Sequence, residues 1–252
     1  AFSYYCCDLF DKGIYDVKLC SMGKLLVTEL HEKISTQCLQ FFGGNGYTED
    51  YPMARMYRDS RIGTIGGGTS EIMREIIAKI VIDDIKYEKV NSPNNLQESP
   101  SDVITSEYDE MISSIKNSEE NDLSLAIKCI TISEETLNTT INYINKDNRK
   151  KSQSIRHQIA QLSSDTECYK SYLLSIYNNS NFDKNAKKEI AMTSLLTIQL
   201  MDKVVSHCFE LFDNFDDLEH HPLIQALKDS KMIQIKHSKR ELLEIISNHL
   251  IK

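Results

Sequence analysis

The residues best suited to chemistry lie between Gln40 and Glu75, in the stretch QFFGGNGYTEDYPMARMYRDSRIGTIGGGTSEIMRE. Gly66, Gly67 and Gly68 form a backbone that can approach a ligand with no Cβ in the way. Thr69 and Ser70 supply hydroxyls to cap a helix beginning near Glu71, whose free N–H groups can face an anion. Upstream, an apolar helical run carrying Gln40 stops at Gly43 and Gly44, and Asn45-Gly46 reads as a tight turn. Pro52 opens a short helix bearing Arg55, Arg58 and Asp59, the last two read as a structural ion pair rather than as catalytic groups. Glycines beside a helix start suit a phosphate-bearing cofactor, although an isolated triple glycine is more often only a loop.

The elements that must position this stretch are helical. Residues 1–12 are apolar on one side and stop at Gly13. Asp16 caps a long helix running to about Phe42, with Val17, Met22, Leu25, Leu26, Leu30, Ile34, Cys38 and Phe41 as a core stripe at 3.6-residue spacing. Glu71 to about Lys86 is a further amphipathic helix. No strand-like alternation runs to useful length. From Tyr87 to Glu120 the composition shifts to Pro, Asn and Ser, a solvated linker with a short helix over 106–116. Leu123–Ile144, Ile155–Tyr177 and Lys187–Phe212 then read as long helices, a short one starts at Pro222, and Lys239–Ile251 closes the chain. The expected organisation is residues 1–86, a linker over 87–120 and a second helical unit over 121–252.

Composition narrows the function. The 252 residues carry 29 basic and 37 acidic side chains, a net charge of −8 that argues against nucleic acid as a partner. No apolar run approaches the roughly 20 residues that span a bilayer, so membrane association finds no support in the sequence. The seven cysteines form no C-x-x-C pair and read as reduced core residues, which favours a cytosolic or matrix compartment. His220-His221 has no third ligand at suitable spacing, so no metal site is expected. The chain opens at Ala1 with no targeting segment, which suits a fragment or a processed product.

The second half repeats the first at an offset of 170 residues. Tyr51–Arg61 aligns with His221–Lys231, and the offset also pairs Met22 with Met192, Leu30 with Leu200, Cys38 with Cys208, Phe42 with Phe212 and Glu71 with Glu241. All nine glycines lie at or before Gly68. Lys236-His237-Ser238-Lys239 stands where the first half has Gly66-Gly67-Gly68-Thr69, so the second unit is expected to keep a bundle and to lack a cofactor cavity. His237 reads as a solvated turn histidine.

The order of these motifs closely resembles the C-terminal signature of the acyl-CoA dehydrogenases. The family's Gln-x-x-Gly-Gly-x-Gly-Tyr element looks like Gln40–Tyr47, its Tyr-Pro-x-x-Arg-x-x-Arg-Asp element like Tyr51–Asp59, and its Gly-Thr-Ser-Glu-Ile element like Gly68–Ile72. The resemblance implies an all-α fold of the family's C-terminal four-helix-bundle type, as a partial first copy plus a degenerate second copy. It also resembles the very-long-chain layout, which appends a helical domain. It implies an FAD-dependent α,β-desaturation of fatty or branched acyl-CoA thioesters. In that chemistry a carboxylate removes the α proton while the β hydride passes to the flavin.

By the same resemblance Gln40, Gly43, Gly44, Thr69 and Glu71 are cofactor-contacting positions, and Gly66, Gly67 and Gly68 face substrate. The backbone N–H of Gly67 is the expected donor to the thioester oxygen. Many members place the catalytic glutamate at the position of Gly67; the isovaleryl- and long-chain-type members place it earlier. No catalytic side chain is therefore expected here, and the base is expected upstream. Glu71 replaces a glutamine common in relatives, an uncomfortable exchange beside a pyrophosphate. Expected partners are acyl-CoA, further copies in a dimer or tetramer through the helical domains, and an electron-transfer flavoprotein. The implied compartment is the mitochondrial matrix in a eukaryote and the cytoplasm otherwise. A non-catalytic assembly module built on the same fold is the alternative.

Overall fold

The computed structural model describes residues 1–86, 107–113, 123–146, 151–179, 186–212, 221–237 and 239–250, and the elements among them are all helical. In chain order they are α1 Phe2–Asp11, α2 Val17–Tyr47, α3 Met53–Gly63, α4 Ser70–Val81, α5 over 107–113, α6 Ser124–Lys146, α7 Gln153–Asn179, α8 Ala186–Glu210, α9 Pro222–Lys236 and α10 Lys239–Leu250. The expected linker outside α5, and 213–220, lie outside the described residues.

Local signals account for most boundaries. α1 stops where Gly13 takes φ +77°, a value that suits glycine. Asp16 accepts from the Leu19 N–H at 3.0 Å and starts α2. His221 accepts from the Leu223 N–H through Nδ1 at 3.3 Å, with Pro222 in the first turn of α9.

Two local expectations are corrected. The helical path of α2 does break at Gly43 (φ +54°, ψ −136°), as the sequence predicts, but a further helical turn continues to Tyr47, so Asn45-Gly46 is not a tight turn. Gly46 sits so close to the preceding turn that a Cβ would lie 2.7 Å from the Leu39 carbonyl oxygen, so its role is close approach. α4 ends at Val81 rather than near Lys86, because Asp84 at φ +52° turns the chain back and the Ile85 N–H reaches the Lys79 carbonyl at 3.1 Å.

The apolar stripe of α2 is only partly core. Met22 and Leu25 are buried, while Val17, Leu30, Ile34 and Phe41 are exposed, Phe41 at 87%. α2 packs against α1, α3, α4 and α7, and the face carrying Leu30, Ile34 and Phe41 stays exposed among the described residues. Cys7 and Cys20 are exposed rather than core, since each follows a side chain that faces inward, and neighbours on a helix point about 100° apart. Arg58 does not pair with Asp59, for the same reason. Arg58 takes both carboxylate oxygens of Glu49, at 2.6 and 3.2 Å, and Asp59 takes Arg55 one turn back at 3.3 Å.

One apolar cluster draws on both halves of the chain. Met22, Leu25 and Ile77 share it with Leu137, Ile144 and Ile159, and burying each such side chain is worth about 1.5–3 kcal/mol. Charged ties follow the same seam between α4 and α7. Arg156 reaches Glu75 and Asp83, each at 2.9 Å, and Arg74 bonds to Glu29 of α2 at 2.6 Å and to Gln161 of α7 at 3.0 Å.

The two halves also share pairings at the 170-residue offset. Arg61–Glu32 at 2.8 Å corresponds to Lys231–Asp202 at 2.9 Å, both spanning 29 residues. Arg55–Asp59 corresponds to Gln225–Asp229 at 3.0 Å. Ser60 and Ser230 are both fully buried.

Candidate functional site

The glycine turn between α3 and α4 is built from both sides. The Gly66 N–H bonds to the Ile62 carbonyl at 2.7 Å, closing α3, and the Ser70 N–H bonds back to the Thr64 carbonyl at 3.1 Å. Gly67 and Gly68 adopt φ +67° and +101°. They differ in surroundings. A Cβ on Gly68 would meet Met73 Cε at 2.5 Å, whereas a Cβ on Gly67 would meet nothing within 4 Å. Gly67 is thus the open position, where a ligand could lie against bare backbone. The Lys24 ammonium donates to the Gly68 carbonyl and ties the turn to α2.

Thr69 caps α4 by accepting from the Ile72 N–H at 3.3 Å. The Glu71 carboxylate accepts from its own backbone N–H and from the Thr69 hydroxyl, which holds its pKa below the ordinary carboxylate value. The Ser70 hydroxyl is buried and has no hydrogen-bond partner among the described residues.

Beside the turn lies a cavity of about 250 Å³ lined by Glu29, Glu32, Arg61, Thr69, Ser70 and Glu71 among others. Its charges are three carboxylates against one guanidinium, and Arg61 is already engaged by Glu32. A phosphate would meet net repulsion there despite the helix start. The open Gly67 backbone and the orphan Ser70 hydroxyl instead fit a neutral, hydrogen-bonding group of a flavin ring or a thioester. The residues therefore fit the uncharged part of the expected cofactor and not its phosphates.

The predicted site residues fall into two groups. Thr69 and Glu71 line the cavity and Gly66, Gly67 and Gly68 form its adjoining turn. Gln40, Gly43 and Gly44 are exposed on the far end of α2, Gln40 about 12 Å along its axis from Glu32 and the two glycines beyond it. Sequence reasoning missed Glu29, Glu32 and Arg61, and also Arg74, which is anchored by α7. Their pairings span 29 to 87 residues and leave no local motif.

In the second half a cavity of about 330 Å³ stands where none was expected, lined by Gln199, Asp202, Gln234, His237 and Lys239 among others. Asp202 matches Glu32 at the 170-residue offset, and Lys239 matches Thr69. Of the side chains that replace the glycines, His237, at the position of Gly67, lines this space. Among the described residues no group of three His, Cys, Asp or Glu is arranged to hold a metal, and no helix is long and apolar enough to cross a membrane.

These features define a helical-bundle domain that presents a bare glycine turn at a helix start. The chain matches the family described as acyl-CoA dehydrogenase, C-terminal domain, over residues 1–82 and 115–242. Among similar proteins, the cyclohexane-1-carbonyl-CoA dehydrogenase of Syntrophus aciditrophicus is 42% identical over 81 residues, covering 32% of this chain and 21% of that protein. The mitochondrial long-chain specific acyl-CoA dehydrogenase of Rattus norvegicus is 40% identical over 84 residues, covering 33% and 20%. A crystal structure of an acyl-CoA dehydrogenase complexed with FAD from Bacillus anthracis shares the fold over 92% of this chain and 39% of that one. Its TM-score is 0.62 at 18% identity. The chain belongs to the acyl-CoA dehydrogenase family. Its matches span about a fifth of the length of these curated relatives.

Proposed function

We propose that this chain is the C-terminal portion of an FAD-dependent acyl-CoA dehydrogenase, and that its glycine turn contacts flavin and thioester. The observation that carries the reading is Gly67, left-handed, with open space where a side chain would stand and a capped helix start behind it. When bound, the flavin supplies the hydride acceptor. The Gly67 N–H points a neutral donor at the thioester oxygen, an interaction typically worth about 3 kcal/mol in such sites. Ser70 offers its unpaired hydroxyl to the ring, and Glu29, Glu32 and Glu71 keep phosphate groups out of the cavity. Gln40, Gly43 and Gly44, remote on α2, suit contact with a flavin held by a neighbouring copy. The catalytic base belongs to another part of the polypeptide.

The same reading makes acyl-CoA the substrate, an electron-transfer flavoprotein the acceptor, and the mitochondrial matrix or bacterial cytoplasm the compartment. The uncovered stripe of α2 supports assembly with further copies, since the exposed Val27, Leu30, Ile34 and Phe41 lie within about 60° of one another around the helix, a face that favours burial. Residues 121–252 are a second copy of the bundle, joined through 87–120 to the partial copy over 1–86. The paired Arg61–Glu32 and Lys231–Asp202 bridges support that reading.

A chimera tests the proposal. Residues 1–84 replace the matching segment of the rat long-chain enzyme, and flavin absorbance and acyl-CoA-dependent dye reduction are followed. The expected result is bound flavin and turnover. A folded chimera without flavin would show that the turn does not serve the cofactor, leaving the assembly module as the better reading.

A further inference from the structure

A third cavity, about 450 Å³ and separate from the glycine turn, lies among α2, α5, α6 and α7. Its volume equals that of about fifteen waters. Tyr108 of α5 lines it. This side chain is 3% exposed, and its hydroxyl is buried with no hydrogen-bond partner among the described residues. Leaving a buried hydroxyl unpaired costs about 1–3 kcal/mol, so the group calls for an occupant. α5 is held in place by its neighbours: the Lys170 ammonium sits 4.4 Å from the centre of the Tyr108 ring, and Lys12 pairs with Glu107 at 3.7 Å.

The remaining polar groups define the chemistry. Lys170 is neutralised by Glu134 at 2.8 Å. Thr131 and Thr166 donate their hydroxyl hydrogens to the Ile127 and Leu162 carbonyls, so only acceptor lone pairs are left to face the cavity. Glu167 has no ion-pair partner among the described residues, and Asp109 and Lys18 complete the charged lining. Three carboxylates thus face two ammonium groups, a net negative lining to which Asn138 and Ser163 add neutral polar groups. Met22, Leu137 and Ile141 supply an apolar wall on the same space. A phenol oxygen accepts as readily as it donates, so Tyr108 can serve a cation as well.

We propose that this cavity binds an organic ammonium group with a short apolar tail, held by Glu167 and the Tyr108 oxygen with the tail along Met22, Leu137 and Ile141. The site is independent of the flavin reading, and its test uses no redox readout. Protonated n-hexylamine is titrated into the 252-residue chain by calorimetry, with n-hexanol and hexanoate as probes of equal length. The expected result is saturable binding of hexylammonium, weaker binding of hexanol and none of hexanoate. Glu167→Gln is expected to weaken hexylammonium about tenfold, the size of one charge-assisted hydrogen bond. Tyr108→Phe is expected to weaken it about threefold while circular dichroism stays unchanged. Preferred binding of hexanoate, no binding of any probe, or binding indifferent to both substitutions would overturn the proposal.

Discussion

Arg156 of α7 donates to Glu75 of α4 at 2.9 Å, tying the two halves of the chain through a guanidinium that is largely shielded from water. The same guanidinium holds Asp83 at 2.9 Å. Arg156→Met leaves two partly buried carboxylates without their cation, and it should cost about 2 kcal/mol, discounted from the fully buried case because both acids are a quarter to a third exposed. Urea denaturation would show a lower midpoint, and a cycle with Glu75→Gln would give a coupling energy above that of an exposed pair.

The two left-handed glycines should respond differently to alanine. Gly68→Ala places a Cβ 2.5 Å from the Met73 methyl, the far end of a flexible side chain that can turn aside, and holds an L residue at φ +101°, so it should destabilise the chain by about 1–2 kcal/mol, mostly through the backbone. Gly67→Ala meets only the backbone term, about 1 kcal/mol. In the chimera, Gly67→Glu should change turnover only modestly, because proton removal belongs to a base elsewhere. Thermal melts and dye reduction separate these outcomes.

How much of this was legible beforehand depended on the distance over which each signal acts. The Thr69 cap, the Asp16 cap and the Gly13 stop are local, and they were readable from a few residues. The 170-residue offset was also readable, because repetition is a property of the string. Arg61–Glu32 and Arg74–Gln161 were not, since a charged pair 29 or 87 residues apart exists only once helices cross. Likewise a stripe at 3.6-residue spacing shows that one face is apolar without showing what covers it. Leu200 of α8 is 3% exposed, covered in part by α6, and its repeat partner Leu30 is 56% exposed.

That uncovered face gives a third prediction. Leu30→Glu with Ile34→Glu should reduce self-association of the chain while leaving its helicity and melting temperature within the small range typical of exposed sites. Light scattering coupled to size-exclusion chromatography measures this directly. An unchanged mass at all concentrations would mean that the face meets something other than a second copy.

Burial pushes the thiols of Cys6 and Cys129 up to about 12 and those of Cys168 and Cys208 up to about 11. In the unfolded chain they titrate near their ordinary value of about 8.5. Above that pH the unfolded state releases protons that the folded state retains. This stability is fully present below about pH 8.5 and is lost as the pH climbs toward 11 or 12. The urea midpoint should therefore fall steadily from pH 8 to pH 10.5. Iodoacetamide at pH 8.5 should modify the exposed Cys7 first and reach Cys129 and Cys208 only on unfolding, as read by mass spectrometry.

Lys24 gives the glycine turn an electronic bias. Its ammonium donates to the carbonyl of Gly68, and that carbonyl shares a peptide group with the Thr69 N–H. Drawing electron density toward the oxygen polarises the amide and makes its N–H a stronger donor. A cation on α2 thus sharpens the backbone at the head of α4 without touching anything bound there, so Lys24→Met would dim that donor as well as release the turn's tie to α2.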